Sequence, residues 1–226
     1  FNFKEKEFKK KILNLIKNKN LLAFAVTMPY KIKIKKYLDK LNETAKLSKS
    51  VNLVIKKKEK LIGFNTDITG FLKSLSNKIK YNNIVIIGFG GSGSAIFNYI
   101  KKKYKNKKII LITSKKVKKN KNLKIFKKLK INAINRKTKY LIINCTPLGS
   151  KLKNQYLNQS PIENDILNKI NKKSYIFDLV YSPAITKLSS KCNKFKIRYK
   201  NGFEMNSYQG KKALQLIKQH TNFKLN

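Results

Sequence analysis

A strand-sized apolar stretch, Ile84–Ile87, runs straight into Gly88-Phe89-Gly90-Gly91-Ser92-Gly93, and a helix-forming stretch follows at about Ser92–Lys103. This order constrains the fold more than anything else in the chain. In a strand–turn–helix unit of this spacing the first glycine permits the tight turn. The second lets the backbone approach a pyrophosphate, and the third lets helix and strand pack closely. Backbone N–H groups at the helix start then face the phosphates. A glycine-rich turn without a ligand is the competing reading, and the strand-to-helix setting argues against it.

The segments around this unit extend the pattern. From Asn82 onward, short apolar strands are expected at Ile84–Ile87, Ile109–Thr113, Ile131–Ile134, Leu141–Asn144, Tyr175–Leu179 and Lys196–Tyr199. Helices are expected near Ser92–Lys103, Asn122–Leu129, Asn164–Ile170 and Ala184–Cys192. Strands that read as apolar on both faces, alternating with helices, predict an α/β fold with a doubly wound parallel sheet.

The first third reads as a separate α/β unit ending near residue 80. Phe8, Ile12, Leu15 and Ile16 share one helical face, and the apolar run Leu21–Val26 follows. Pro29 then turns the chain. Ile34, Tyr37, Leu38, Leu41 and Ala45 predict a second amphipathic helix. Val51–Ile55 and Leu61–Phe64 predict a hairpin. Thr66 or Asp67 caps a helix with Phe71, Leu72, Leu75 and Ile79 inside. A final helix, about Met205–Gln219, follows the last strand and can return to the first unit.

Charge is the other outstanding feature: Lys plus Arg number 54 against 10 for Asp plus Glu, a net charge of +44. With 41% apolar residues the chain still has enough to build a core, unlike a disordered basic tail. Only Arg136 and Arg198 are arginines, and lysine is spread along the whole chain. Nucleic-acid readers favour arginine forks concentrated on one face, so a specific nucleic-acid partner is not expected. No apolar run approaches the roughly 20 residues that cross a bilayer. Cys145 and Cys192 cannot form a disulfide framework, and the opening FNFKEKEFKKK lacks a secretory core, so a reducing cytoplasm is expected. The chain does not start with Met, and a fragment is one expectation. No metal site is expected; His220 reads as a surface residue and Cys145 as packed rather than nucleophilic.

Three further segments carry chemistry. After the strand ending at Thr113 come Ser114, Lys115 and Lys116, with Lys119 one helical turn beyond Lys115. An acid there would hold the ribose 2′-hydroxyl of NAD, whereas a base receives the 2′-phosphate of NADP. The missing acid favours NADP. Val26-Thr27-Met28-Pro29-Tyr30-Lys31 sets a hydroxyl and an amine just after a strand. Gly63-Phe64-Asn65-Thr66-Asp67 sets a carboxylate at a helix start, where it can orient a lysine for acid–base work. A surface lysine and a capping aspartate are the plainer readings of that pair.

VTMPYK, SVNLV, GFNTDITGF, IIGFGGSGSA, INCTPLGS, DLVYSP and NGFEMNSYQ occur in this order over nearly the whole chain. In this the sequence resembles the shikimate dehydrogenase family. The resemblance implies reduction of 3-dehydroshikimate to shikimate with NADPH. It also implies a substrate domain over residues 1–80, completed by a C-terminal helix at 205–226, beside a Rossmann-type NADP-binding domain over 81–204. Carried over by position, Lys31 and Asp67 match the catalytic pair, with Lys31 as general acid. Thr27, Asn52, Tyr181 and Gln209 match groups that bind the hydroxylated ring. Gly88, Phe89, Gly90, Gly91 and Ser92 match the diphosphate loop, and Ser114, Lys115 and Lys119 the adenosine-phosphate segment. Leu179, Gly202 and Met205 match positions around the nicotinamide, and Glu43 matches a residue near it.

The sequence departs from the family in places. The family's opening strand and helix, with the serine pair that grips the substrate carboxylate, have no counterpart in these residues. Ala25 replaces an Asn, and Ser114-Lys115-Lys116 replaces an Asn-Arg-Thr. The missing serine pair leaves a truncated or decayed dinucleotide-binding relative without turnover as one alternative, and the net charge leaves a basic polyanion-binding protein as the other. Quinate is a competing substrate, and a homodimer is compatible with the reading.

Overall fold

The computed structural model describes residues 7–75, 81–118 and 121–221. Helix α1 (Phe8–Lys17) opens it, with Phe8 and Ile12 buried. The ring of Phe8 stacks on Tyr30 at 4.2 Å between centroids and pins the turn that follows Pro29. A four-stranded sheet is built from β1 (Ala23–Ala25), β2 (Lys40–Leu41), β3 (Leu53–Lys57) and β4 (Lys60–Phe64), in the order β1-β3-β4-β2. The expected hairpin is β3–β4, paired antiparallel from Leu53 opposite Phe64 to Lys57 opposite Lys60.

The amphipathic helix expected over residues 34–45 does not form. In its place are a 3₁₀ turn at Lys33–Tyr37, strand β2, and helix α2 (Glu43–Ser48). Two side chains that compete with helical backbone bonds explain the break. Asp39 Oδ2 accepts from Leu61 N at 2.7 Å, docking the chain on the edge of β4. Asn42 then caps α2 by accepting from Ala45 N at 2.9 Å. Helix α3 (Asp67–Leu75) follows, and its capping side chain is Asn65 rather than Thr66 or Asp67, accepting from Ile68 N at 3.2 Å. Phe71 and Leu75 are buried and Leu72 half-buried, while Ile79 lies outside the described residues.

The second sheet holds β5 (Asn83–Ile87), β6 (Lys108–Ile112), β7 (Leu123–Phe126), β8 (Tyr140–Asn144), β9 (Tyr175–Asp178) and β10 (Arg198–Lys200). Its order is β10-β9-β8-β5-β6-β7, with every pairing parallel. This is the doubly wound order that places a switch point between β5 and β8, where ligands bind beyond the strands' carboxyl ends. Ile84 and Ile86 enter the core on one face, against α3, α4 (Gly91–Lys103) and Met205 of α8 (Phe203–His220). Val85 and Ile87 enter a second core on the other face, with Ile166 and Leu167 of α6 (Asn164–Lys169) and Leu188 of α7 (Lys187–Lys194). A short helix, α5 (Asn154–Leu157), lies in the loop after β8.

Residues 122–134 exchange their expected roles. The helix expected at 122–129 is strand β7, and the strand expected at 131–134 is a 3₁₀ turn, Ile131–Ala133. The bare edge of β6 accounts for it: β7 completes that ladder from Ile109 opposite Leu123 to Ile112 opposite Phe126. Helix α8 runs from the large sheet to the small one, with Met205 in one core and Leu216 packed on Leu53, Ile55 and Phe64. His220, expected at the surface, is half-buried with its ring edge-on to Phe64, 5.1 Å between centroids. No helix among the described residues is long and apolar enough to cross a membrane.

Candidate active site

Lys31 lies in the turn after β1. Its backbone carbonyl accepts from Val51 N at 2.8 Å, which ties the turn to the entry of β3. Its Nζ donates to Asp67 Oδ2 at 2.7 Å, with side chains only 14% and 7% exposed. Asp67 is at the first turn of α3, where backbone N–H groups favour a carboxylate. Its other oxygen, Oδ1, accepts from Asn52 Nδ2 at 2.8 Å. Asn52 Nδ2 also lies within hydrogen-bonding distance of Thr66 Oγ1 (2.9 Å) and Gln209 Oε1 (3.0 Å), so its two protons are shared among three acceptors.

The glycine turn adjoins this cluster. Gly88 has φ +95°, a conformation that favours glycine, and the chain then enters α4 at Gly91. A Cβ on Gly93 would run into the Gly88 carbonyl, so helix and strand meet as closely as the sequence spacing implies. A Cβ on Gly90 would meet nothing within 4 Å, which leaves the backbone there open to a ligand. Ser92 Oγ, one residue into the helix, donates to Asp67 Oδ2 at 3.1 Å and accepts from Lys31 Nζ at 3.3 Å.

Two cavities adjoin at Lys31. One, of about 360 Å³, is walled by Thr27, Asn52, Asp67, Met205, Asn206 and Gln209. The other, of about 420 Å³, is walled by Gly90, Gly91, Cys145, Thr146, Pro147 and Lys151. Lys31, Thr27, Ser92, Leu179 and Tyr181 line both. Met28, Leu152 and Tyr181 leave apolar surface bare in the larger cavity, 55%, 60% and 49% exposed. That is surface a flat ring can cover.

The sequence-expected residues thus divide. Thr27, Lys31, Asn52, Asp67, Gly90, Gly91, Ser92, Leu179, Tyr181, Gly202, Met205 and Gln209 all line one cavity or the other. Gly88 and Phe89 shape the turn from behind, Phe89 packing edge-on to Phe97. Ser114 and Lys115 stand exposed beyond the end of β6, and Lys115 N donates to Thr113 Oγ1 at 3.0 Å. Lys119 lies outside the described residues. Glu43 is not brought to the site: it is exposed in the first turn of α2 and lines neither cavity. α2 instead packs beside α4, where Asn98 Nδ2 donates to the Ser48 carbonyl.

Other residues escaped the sequence reading. Thr66 joins the Asn52–Gln209 cluster, and Gly70 lets α3 meet α8, since a Cβ there would strike the Met205 carbonyl. Behind the site, Asn144 Nδ2 donates to Asp178 Oδ1 at 2.8 Å, and Asn144 Oδ1 accepts from Thr146 N and Oγ1. Tyr199 OH donates to Asp178 Oδ2, and Val180 N to Oδ1. This network fixes the loops after β8 and β9, both of which line the larger cavity. Burial pushes Asp178 up to about 6, and burial drives the Cys145 thiol well above its usual range, with Asp178 and Asp67 adding to it. Cys145 is thus an inert wall residue. The signal available in the sequence was a polar residue at the end of each of two buried strands.

Fold and site define an α/β enzyme of the dinucleotide-dependent oxidoreductase class, with two sheets and a lysine–carboxylate pair beside a glycine turn. A sequence profile described as the shikimate dehydrogenase substrate binding domain matches residues 1–54. A shikimate dehydrogenase (NADP(+)) of Clostridium botulinum strain 657 is 37% identical over 223 residues, 96% of this chain and 83% of the relative. One from Methanococcus vannielii is 33% identical over 224 residues, 92% and 76% of the two chains. The crystal structure of shikimate dehydrogenase from Aquifex aeolicus superposes with a TM-score of 0.77 at 26% identity, covering 100% of this chain and 81% of that one. The chain belongs to the shikimate dehydrogenase family.

Proposed function

We propose that this chain reversibly reduces 3-dehydroshikimate to shikimate with NADPH. The observation that carries the reading is the Lys31–Asp67 pair, 2.7 Å apart, at the junction of two cavities, one of them reaching the glycine turn. The residues present fit a dinucleotide: the left-handed Gly88, the open face of Gly90 and the start of α4 suit a diphosphate. Ser114 and Lys115, with no acid beside them, suit a 2′-phosphate. When bound, the nicotinamide supplies the hydride for reduction and takes it back in the reverse direction.

The chain's own groups do the rest. Lys31 has three ammonium protons; Asp67 and Ser92 hold two, and the third is free to meet a ketone oxygen in the smaller cavity. As the carbonyl carbon gains hydride, its oxygen takes that proton from Lys31, so the product is an alcohol. Asp67 keeps the ammonium aimed and offers Oδ1 to a ring hydroxyl. Asn52, Thr27, Tyr181 and Gln209 supply further donors and acceptors for the ring's other hydroxyls. The same reading carries a cytoplasmic location and admits a homodimer, which sedimentation velocity decides.

The test is turnover by the purified chain with shikimate and NADP+, followed by NADPH absorbance, with quinate and NAD+ as comparisons. The reading expects turnover with shikimate well above quinate, and with NADP+ above NAD+. No turnover with shikimate contradicts it.

A further inference from the structure

We infer that Ser92 is a positioning residue for the Lys31–Asp67 pair and makes the glycine turn part of the acid's support. This rests on the proposed function for its chemistry but not for its geometry. Ser92 is the second residue of α4, so its position follows the turn directly. Its hydroxyl touches both members of the pair, donating to Asp67 Oδ2 and accepting from Lys31 Nζ. The stem of Lys31 lies along the same turn: a Cβ added to Gly91 would come within 3.1 Å of Lys31 Cδ. The lysine is therefore held at its charged end by Ser92 and along its length by Gly91, both from the start of α4.

An ammonium held by one carboxylate oxygen alone can swing about that contact. A second partner fixed on a helix removes that freedom, and with two protons committed the third has one direction left. Asp67 gains as well, because Oδ2 receives a hydroxyl proton besides the ammonium and cannot rotate without losing both. The consequence is that a diphosphate seated on the glycine turn and the aim of Lys31 are linked through one side chain.

The experiment compares wild type, Ser92→Ala and Ser92→Thr. Alanine preserves the helix and removes only the hydroxyl; threonine restores it. Steady-state constants are measured alongside direct NADPH binding by fluorescence. The rate at which an acylating reagent modifies Lys31 is read by peptide mass spectrometry. The inference expects Ser92→Ala to lower kcat about tenfold, a loss of roughly 1.4 kcal/mol. NADPH affinity should stay within about threefold, well under the 1.4 kcal/mol step. The primary deuterium isotope effect on kcat should rise, Ser92→Thr should recover most of the rate, and Lys31 should be modified faster in Ser92→Ala. Unchanged kcat in Ser92→Ala, a loss confined to NADPH affinity, or no recovery by threonine overturns it. If the wild type proves inactive, the function fails separately, and the modification rate still decides: an equal rate in both proteins overturns the positioning role.

Discussion

Asp178 sits at the end of β9 with no exposed surface, and burial lifts its carboxyl from 3.8 to about 6. A folded value above the unfolded one means that the folded chain holds the proton more tightly. The stabilisation is complete below about pH 4 and is lost as pH rises through about 6. With its donors from Asn144, Val180 and Tyr199 already counted against the burial, ionised Asp178 costs up to ~3 kcal/mol at neutral pH. Asp178→Asn should therefore flatten this part of the pH dependence. Relative to that variant, wild type should lose stability between about pH 4 and pH 7 in urea melts. A constant difference over that range would mean Asp178 is not the titrating group. At the same scale, the pairing of Lys31 with Asp67 is implied by the family resemblance, whereas each residue's own segment reads equally well as a surface lysine or a capping aspartate. Ser92 was legible only as part of the phosphate turn. Its contacts with residues 25 and 61 positions away exist only after folding.

At the scale of elements, α3 and α8 carry Asp67 and Gln209 to the same cluster, and Gly70 sets how closely they pack. A Cβ at Gly70 would meet Gln209 Cβ at 3.0 Å and the Met205 carbonyl more closely still. Gly70→Ala should push the helices apart, destabilising the fold by about 1–3 kcal/mol. It should also raise KM for shikimate more than it lowers kcat, because Gln209 leaves Asn52. Denaturant midpoints and steady-state kinetics check both, and an undisturbed midpoint would show that the helices have room to spare. The elements that sequence patterns found, β5, β8, β9 and α4, are buried stretches whose apolar runs need no partner to be recognised. Those it missed depend on partners. Leu123, Phe126 and Leu129 recur every third residue and imitate a helix, yet the open edge of β6 makes Leu123–Phe126 a strand. Residues 34–45 look like one amphipathic helix until Asp39 and Asn42 find acceptor roles toward β4 and α2.

Across the whole molecule, a net charge of +44 belongs to a chain whose proposed substrate and cofactor are both anionic. Such a field raises encounter rates at low salt and is screened at high salt. NADPH should bind more tightly than NADH, with the ratio shrinking as salt rises. Lys115→Ala should weaken NADPH without affecting NADH; equal losses for both would remove Lys115 from the 2′-phosphate. That the chain forms two separate sheets could be read from the switch between hairpin and strand–helix patterns. The path of α8 back across both sheets was visible only as an unplaced final helix. Lys31 stands where the two adjoining cavities meet, and its proposed role there as the acid has a direct test. In Lys31→Ala, kcat and NADPH affinity are measured on the same preparation. There kcat should fall about 10²- to 10⁴-fold while NADPH binds nearly as in wild type; turnover at the wild-type rate would remove Lys31 as the acid.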